Sequence, residues 1–261
     1  MKIEAGQRIL IWFSAGAASA VAAKIALSES EGNDTLIVYT DTGGEHPDNK
    51  RFIKECEEWL QHEIVIAKSS KYEDIWDVWQ RRRFLVNKNG ALCTVEMKKK
   101  IRHKIEDPDD VQVFGYTKDE QHRADKFLKV NPEIDLWTPL IEKNLSKANC
   151  LALIERANIE LPEMYKLGYK NNNCIGCVKG GIGYWNKIRT DFPETFDRMA
   201  KLEREIGSSI LRSRIKGKDT EKLFLDELDP SRGHYPSEIE PECSLLCVEV
   251  EEDMNLECDD E

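Results

Sequence analysis

No run of apolar residues in this chain approaches the ~20 that a membrane-spanning helix needs; the longest, Ile9 to Phe13, is of strand length. The opening residues Met1-Lys2-Ile3-Glu4-Ala5 lack the apolar stretch and small-residue cleavage site of a secretory signal. Both absences lead to the expectation of a cytoplasmic protein without a membrane partner. Cytosolic thiols stay reduced, so the eight cysteines are not read as structural disulfides. Metal or iron–sulfur binding, redox chemistry and plain burial are what they can serve. Lys and Arg are missing altogether after Arg232, while Asp and Glu run densely to Glu261. The net charge of −11 argues against a broad nucleic-acid-coating surface. The runs Arg81-Arg82-Arg83 and Lys98-Lys99-Lys100 still leave room for a local anion site. Two familiar phosphate-binding patterns, GxxxxGK[ST] and GxGxxG, are absent as well.

What is present is an alternation of strands and helices. With 261 residues, 40% of them hydrophobic, the chain can build one sizeable domain with an appendage or two small ones. Ile9 to Phe13 reads as a strand buried on both faces, followed by small residues and an Ala-rich helix over Ser19 to Leu27. Thr35 to Thr40 and Glu63 to Ala67 are further strands. Between them a helix starts near Pro47, with Phe52, Ile53, Cys56, Trp59 and Leu60 at helical spacing. Helices are expected over Tyr72 to Trp79 and Val95 to Ile105. Val111 to Tyr116 is a fourth strand, a charged helix follows from Lys118, and Leu136 to Leu140 is a short fifth strand. Ser146 caps a helix over Lys147 to Arg156. Helices near Ile182 to Arg189, Pro193 to Ile206 and Thr220 to Leu228 complete the pattern. The fold class is therefore α/β, a Rossmann-like parallel sheet with helices on both faces, plus a helical, Cys-containing C-terminal region. The expected division is residues 1–160 for the nucleotide-binding α/β domain and residues 161–261 for the C-terminal region with its CxxC segment and acidic tail.

In open parallel sheets ligands bind beyond the carboxyl ends of the strands. Ser14-Ala15-Gly16-Ala17-Ala18-Ser19 lies there, after the first strand. Its small side chains let the backbone approach an anion, its amides and the following helix N-terminus favour negative charge, and Ser14 and Ser19 add hydroxyls. The second strand end carries Asp41-Thr42-Gly43-Gly44-Glu45, where Asp41 and Thr42 can hydrogen-bond a ribose or an adenine amino group.

Several segments, in order, are similar to one family. Ser14-x-Gly16-x-x-Ser19 resembles the SGGxDS loop of the adenine nucleotide α-hydrolase (PP-loop) superfamily. Asp41-Thr42-Gly43 with Pro47, Cys93-Thr94 with Lys98, and Gly115-Tyr116-Thr117-x-Asp119-Glu120-x-x-Arg123 resemble segments of the phosphoadenosine phosphosulfate (PAPS) reductase family. Trp137-Thr138-Pro139-Leu140, then Leu161-Pro162, Tyr165, Gly168-Tyr169 and Cys174-x-x-Cys177 follow in that family's order. The resemblance implies a sheet binding PAPS, adenylyl sulfate or ATP. Ser14, Gly16 and Ser19 would hold phosphate or sulfate, Asp41, Thr42, Gly43 and Gly115 would lie at the nucleotide, and Lys98 and Arg123 would supply cations. It leaves room for Mg²⁺, for a thiol reductant such as thioredoxin and for a homo-oligomer. The chain departs from the family at three places. Ala18 replaces the Asp of ATP-splitting loops, Cys93 stands alone where cluster-bearing reductases have a Cys pair, and Glu242-Cys243-Ser244-Leu245-Leu246-Cys247 echoes the reductase tail motif without its His.

Cys174-Ile175-Gly176-Cys177 has metal-ligand spacing. Cys93 is one candidate for a further ligand, and Cys243 with Cys247 another, for either Zn²⁺ or a [4Fe–4S] cluster. Cys56 and Cys150 are assigned to helix interiors, and Cys258 to a frayed terminus. Trp76, Trp79 and Trp185 are read as core, His103 and His122 as surface. Lys99 and Lys100 are read as a solvated face, and Asn171-Asn172-Asn173 as a tight turn with positive φ. Three functional readings result. The first is a sulfonucleotide-acting oxidoreductase with Cys243 as nucleophile and Lys98 and Arg123 stabilising charge. The second is an iron–sulfur-dependent sulfurtransferase thiolating tRNA or DNA, which the net charge and Ala18 disfavour. The third is a non-catalytic nucleotide-binding accessory protein.

Overall fold

A computed structural model describes residues 3–30, 32–87, 90–213 and 221–239. Cys243, Cys247, Cys258 and the acidic tail lie outside the described residues. The chain forms two compact units, each taken from several segments. The first comprises Met1–Asp41, His46–Lys68 and Ile101–Asn172; the second comprises Thr42–Glu45, Ser69–Lys100 and Asn173–Glu261. The two units are interleaved along the chain: the segment after the third strand joins the second unit and the chain then returns for the fourth.

The first unit is built on five strands, β1 (Ile9–Phe13), β2 (Thr35–Asp41), β3 (Ile64–Lys68), β4 (Val111–Phe114) and β5 (Asp135–Trp137). All pair in parallel, in the order β3-β2-β1-β4-β5. Ile9 pairs with Thr35 on one side and Val111 on the other, so the central strand is covered along both edges and all five of its residues are buried. A continuous apolar strand is what that environment selects. Helix α1 (Ala17–Glu29) buries Ala17, Ala20, Ala22, Ala23 and Ala26, whose short side chains bring its axis close to the sheet. Helix α2 (Asn49–Leu60) contributes Phe52, Ile53, Cys56 and Leu60 to the same core. Arg51, at its start, clamps Asp48 through Nε and Nη2 (2.7 and 2.8 Å), which holds the Asp48 carboxyl below the usual carboxylate range.

The Leu136–Leu140 strand stops at Trp137, because Pro139 occupies the first turn of a short helix, Pro139–Glu142. Lys118–Glu120 is a 3₁₀ turn leading into an α-helix over Gln121–Val130. Ser146 caps the helix Lys147–Arg156 as expected, its side chain accepting from the Asn149 amide. Asn171, Asn172 and Asn173 all have negative φ; positive φ falls instead on Gly168 and Gly176, where no Cβ opposes it.

In the second unit, helix α3 (Ile75–Arg82) is capped by Asp74, whose carboxylate accepts from the Asp77 amide at 2.8 Å. The expected single helix over Val95 to Ile105 is interrupted by a π-helical turn, Val95–Lys99. Glu96, on that turn, is buried and paired with Arg82 (2.9 Å) and Lys100 (3.3 Å), while Lys98 and Lys99 are half-buried rather than solvated. Helices α4 (Ile182–Asp191) and α5 (Pro193–Ile206) follow. The helix expected near Thr220 to Leu228 is a strand, Glu221–Leu223, and a 3₁₀ turn, Leu225–Glu227. The strand pairs antiparallel with Leu211–Ser213, a pairing that no local helical preference can anticipate. No described helix is long and apolar enough to cross a membrane.

One buried acid ties this end of the chain together. Glu203, fully buried on α5, accepts from the amides of Ile210 (2.6 Å) and Leu225 (2.7 Å). Burial pushes its carboxyl up to about 7, against the pull of those two amides. An acid held above its ordinary value binds its proton more tightly in the folded chain. Its contribution to stability is therefore complete below about pH 4.5 and is lost as pH rises through about 7. Urea unfolding at pH 5 and pH 8 should show wild type losing about 3 kcal/mol more than Glu203→Gln over that interval; equal losses would refute this role.

Candidate functional site

The strand order reverses between β1 and β4, so the carboxyl ends of these strands frame the crevice where open parallel sheets place ligands. β1 ends at Phe13 and the chain turns through Ser14 to Gly16 before α1 begins at Ala17. Ala15 takes φ 54°, a left-handed conformation that costs a non-glycine residue about 1 kcal/mol. Two interactions hold it there. Asn172 donates through Nδ2 to the Ala15 carbonyl at 2.7 Å and to Asn49 Oδ1 at 2.8 Å. Ser19 staples the loop from inside: its Oγ accepts from the Ser14 amide (3.1 Å) and the Gly16 amide (3.4 Å) and donates to the Gly16 carbonyl (2.9 Å). Ser19 is buried and shapes the loop, whereas Ser14, 3.0 Å from it through Oγ, is exposed at the rim.

Space is tight at one glycine and closed at another. A Cβ on Gly16 would stand 3.1 Å from the Tyr165 hydroxyl. Burial pushes that hydroxyl up to about 12, while the amides of Ala17 and Asn172 bonded to it pull the other way. A Cβ on Gly115, just after β4, would stand 2.8 Å from Ser19 Cα and 2.9 Å from Ser19 N. The end of β4 therefore rests directly on the N-terminus of α1. Beyond Gly115, Tyr116 stacks on Phe114 (centroids 5.6 Å apart), and the Arg123 guanidinium lies 4.9 Å from the Tyr116 ring centre. Arg123 is ion-paired with Glu120. Burial works to raise the Glu120 carboxyl, yet the Thr117 amide and Arg123 hold it below its ordinary value. Ser14, Gly16, Ser19, Gly115 and Arg123 are thus all in the first unit, with Asp41 at the end of β2, where it pairs with Lys68 of β3 at 2.9 Å.

The other expected residues belong to the second unit. Gly43 has φ 66°, and a Cβ on it would stand 2.7 Å from Asp74 Cβ; one on Gly44 would overlap the Ile75 side chain. The Gly pair thus lets the start of α3 close on this segment, with the Ile75 amide donating to the Thr42 carbonyl at 3.0 Å. Thr42 is buried, and its hydroxyl donates to Glu45 Oε1 at 2.7 Å. Cys174 Sγ is 3.2 Å from Thr42 Oγ1 and 3.5 Å from Glu45 Oε1. Cys93 precedes the π turn that carries Lys98. Among the described residues no group of three or more His, Cys, Asp or Glu side chains is gathered as a metal site requires. The two thiols alone do not fit a zinc or cluster site, and Cys247 lies outside the described residues. Cys56 and Cys150 are buried thiols, pushed up by burial to about 12 and about 11, and are unreactive packing residues.

Sequence reasoning named Tyr165 and Glu45 without giving them a role and passed over Asn49 and Tyr184. Asn172 stood inside an Asn run that signals a turn, and nothing local distinguishes the one residue that reaches Ala15 from the other end of the unit. Gly115→Ala must displace the backbone of α1 or β4. It is expected to cost about 1–3 kcal/mol in urea unfolding, whereas Ser14→Ala, at the exposed rim, should fall within about 0.5 kcal/mol of wild type.

A comparison with curated proteins gave no match. Among solved structures 44 chains match. One is phosphoadenylyl-sulfate (PAPS) reductase from Candida auris in a phosphate complex, 15% identical, with a TM-score of 0.44 over 63% of this chain and 80% of that one. The family model described as phosphoadenosine phosphosulfate reductase domain matches residues 8–180. That match runs from the strand before the Ser14–Ser19 loop through the Cys174–Cys177 turn, more than half of the sequence, and the chain belongs to the phosphoadenosine phosphosulfate reductase domain family.

Proposed function

We propose that the chain binds an adenylated or phosphoadenylated nucleotide at the carboxyl end of β1 and carries out sulfur-linked redox chemistry on it. The observation that carries this reading is the approach of Gly115 to Ser19. It sets the N-terminus of a thirteen-residue helix at the strand-order reversal, on a loop with no side chain at Gly16. An anion there gains from the helix dipole and from backbone amides. Ser14 offers a hydroxyl at the rim, and Arg123, oriented by Glu120 and Tyr116, adds a planar cation suited to phosphate or sulfate. Ala18 puts no carboxylate in the loop, which suits binding of phosphate or sulfate better than the splitting of ATP.

In the proposed reaction a cysteine thiolate attacks the sulfur of the sulfonucleotide. The bond from that sulfur to the bridging oxygen breaks, and the nucleotide leaves with the electron pair. A second thiol, of the thioredoxin type, then attacks the cysteine sulfur, releasing sulfite and leaving a disulfide. Cys243 is the proposed nucleophile and Lys98 a further cation for the leaving charge.

Titration calorimetry with PAPS, adenylyl sulfate and ATP tests the binding. At least one should bind, and Ser14→Ala should weaken it about tenfold, the worth of one hydrogen bond to a charged group. Sulfite release in the presence of a dithiol should disappear in Cys243→Ser while binding persists. Failure of all three nucleotides to bind would sink the proposal.

A further inference from the structure

Cys174 and Cys177 stand at the two ends of a turn formed by residues 175–176. Gly176 has φ 74°, and a Cβ on it would stand 2.7 Å from Thr195 Cγ2 and 3.3 Å from the Trp185 ring, so conformation and space both demand glycine. The Tyr184 hydroxyl closes the turn: it accepts from the Cys177 amide at 2.9 Å and donates to the Cys174 carbonyl at 3.3 Å. Tyr184 is itself buried against Trp185 and Tyr235. Turn ends of this kind bring Cα atoms within about 7 Å, the separation that a disulfide bridges.

Cys174 also has a proton acceptor. Its sulfur lies 3.2 Å from Thr42 Oγ1, and Thr42 in turn donates to Glu45 Oε1 at 2.7 Å. Glu45 Oε2 accepts from the Thr42 amide at 3.2 Å, which fixes the carboxylate in place. The Gly44 carbonyl accepts from the Ile175 amide at 2.8 Å, so the segment bearing the base is bonded to the segment bearing the thiol. A carboxylate is thus within hydrogen-bond distance of the Cys174 thiol itself, at 3.5 Å, whereas Cys56 and Cys150 are thiols sealed in the core. A base aligned through a hydroxyl onto a thiol is the arrangement of an activated sulfur nucleophile.

We propose that Cys174 and Cys177 are a dithiol–disulfide couple in which Glu45, through Thr42, takes the Cys174 proton as its sulfur attacks a small-molecule disulfide of the glutathione type. The attack forms a bond between Cys174 and one sulfur of the small molecule and breaks that molecule's own S–S bond. The departing thiolate takes the proton from Glu45 and leaves as a thiol. Cys177 then gives up its proton and attacks Cys174 Sγ. The intramolecular disulfide forms, and the second small thiolate leaves and is protonated. Two protein thiols are oxidised and one small disulfide is reduced to two thiols; the reverse direction delivers two electrons. The couple stands apart from the nucleotide chemistry proposed above, and its readout is the state of the thiols.

The test uses the full-length protein, assayed first for zinc and iron and then equilibrated with mixtures of oxidised and reduced glutathione. Acid quenching, alkylation and peptide mass mapping then read each cysteine. A disulfide joining Cys174 to Cys177, reversed by dithiothreitol, is expected. Cys177→Ser should instead trap glutathione on Cys174. Glu45→Gln and Thr42→Val should reach the same disulfide about 10²-fold more slowly at neutral pH, the usual worth of a general base. In both variants the rate should recover as the pH is raised, because solvent hydroxide then replaces the missing base. Stable glutathione on Cys174 in the wild type, or wild-type rates in both variants, would overturn the proposal. So would zinc or iron that is bound by the wild type and lost in Cys174→Ala.

Discussion

The contact on which the loop end of the parallel sheet depends is the one between the backbone of Ser19 and the missing side chain of Gly115. Parallel strands β1 and β4 sit side by side, and the helix that follows β1 must pass the end of β4 to pack on the sheet. A methyl group at residue 115 would block that passage at the level of the first helical turn. The alanines of α1 serve the same end, because a helix that lies close to a sheet has no room for larger side chains on its inner face. Ser19, which looks like a ligand residue, is consumed by this geometry: its hydroxyl closes the loop on itself, and the exposed hydroxyl is that of Ser14.

The second unit applies the same device to another purpose. Gly43, Gly44 and Gly176 are places where one piece of chain comes too near another for a Cβ. They bring Thr42 and Glu45 onto Cys174 and set the turn between Cys174 and Cys177. The eight cysteines therefore do not form one class. Cys56 and Cys150 behave as small apolar residues in a dense core, where loss of solvent keeps the proton on sulfur. Cys174 has a hydroxyl and a carboxylate within reach, so its proton has somewhere to go.

Element type was largely readable where local pattern and burial agree. The continuous apolar run Ile9–Phe13 reads as a strand buried on both faces, and Ser146 before Lys147–Arg156 as a cap, and both are what the structure shows. The loop Ser14–Ser19 was readable because small residues between a strand and a helix have a backbone use whatever the rest of the fold does. Reading failed where distant contacts outvoted local preference. Glu221–Leu223 is a strand because Leu211–Ser213 pairs with it. The π turn at Val95–Lys99 carries Glu96, which buries its charge against Arg82 and Lys100. The Asn run takes no positive φ, and the side chain of Asn172 reaches Ala15 and Asn49 instead.

By itself the sequence determined the strands of the parallel sheet, the alternation of helices with them and the family to which the ordered motifs belong, since these are written in short segments as periodicity and residue type. Only the tertiary structure decided which small residues are spacers and which hydroxyl of the loop is exposed. It alone showed that Thr42 faces Glu45 and Cys174, and that residues 42–45 and 69–100 leave the sheet unit for the other. Those facts concern atoms far apart along the chain. They are fixed by which backbones can approach to within a few ångströms, and no local pattern of side chains encodes that distance.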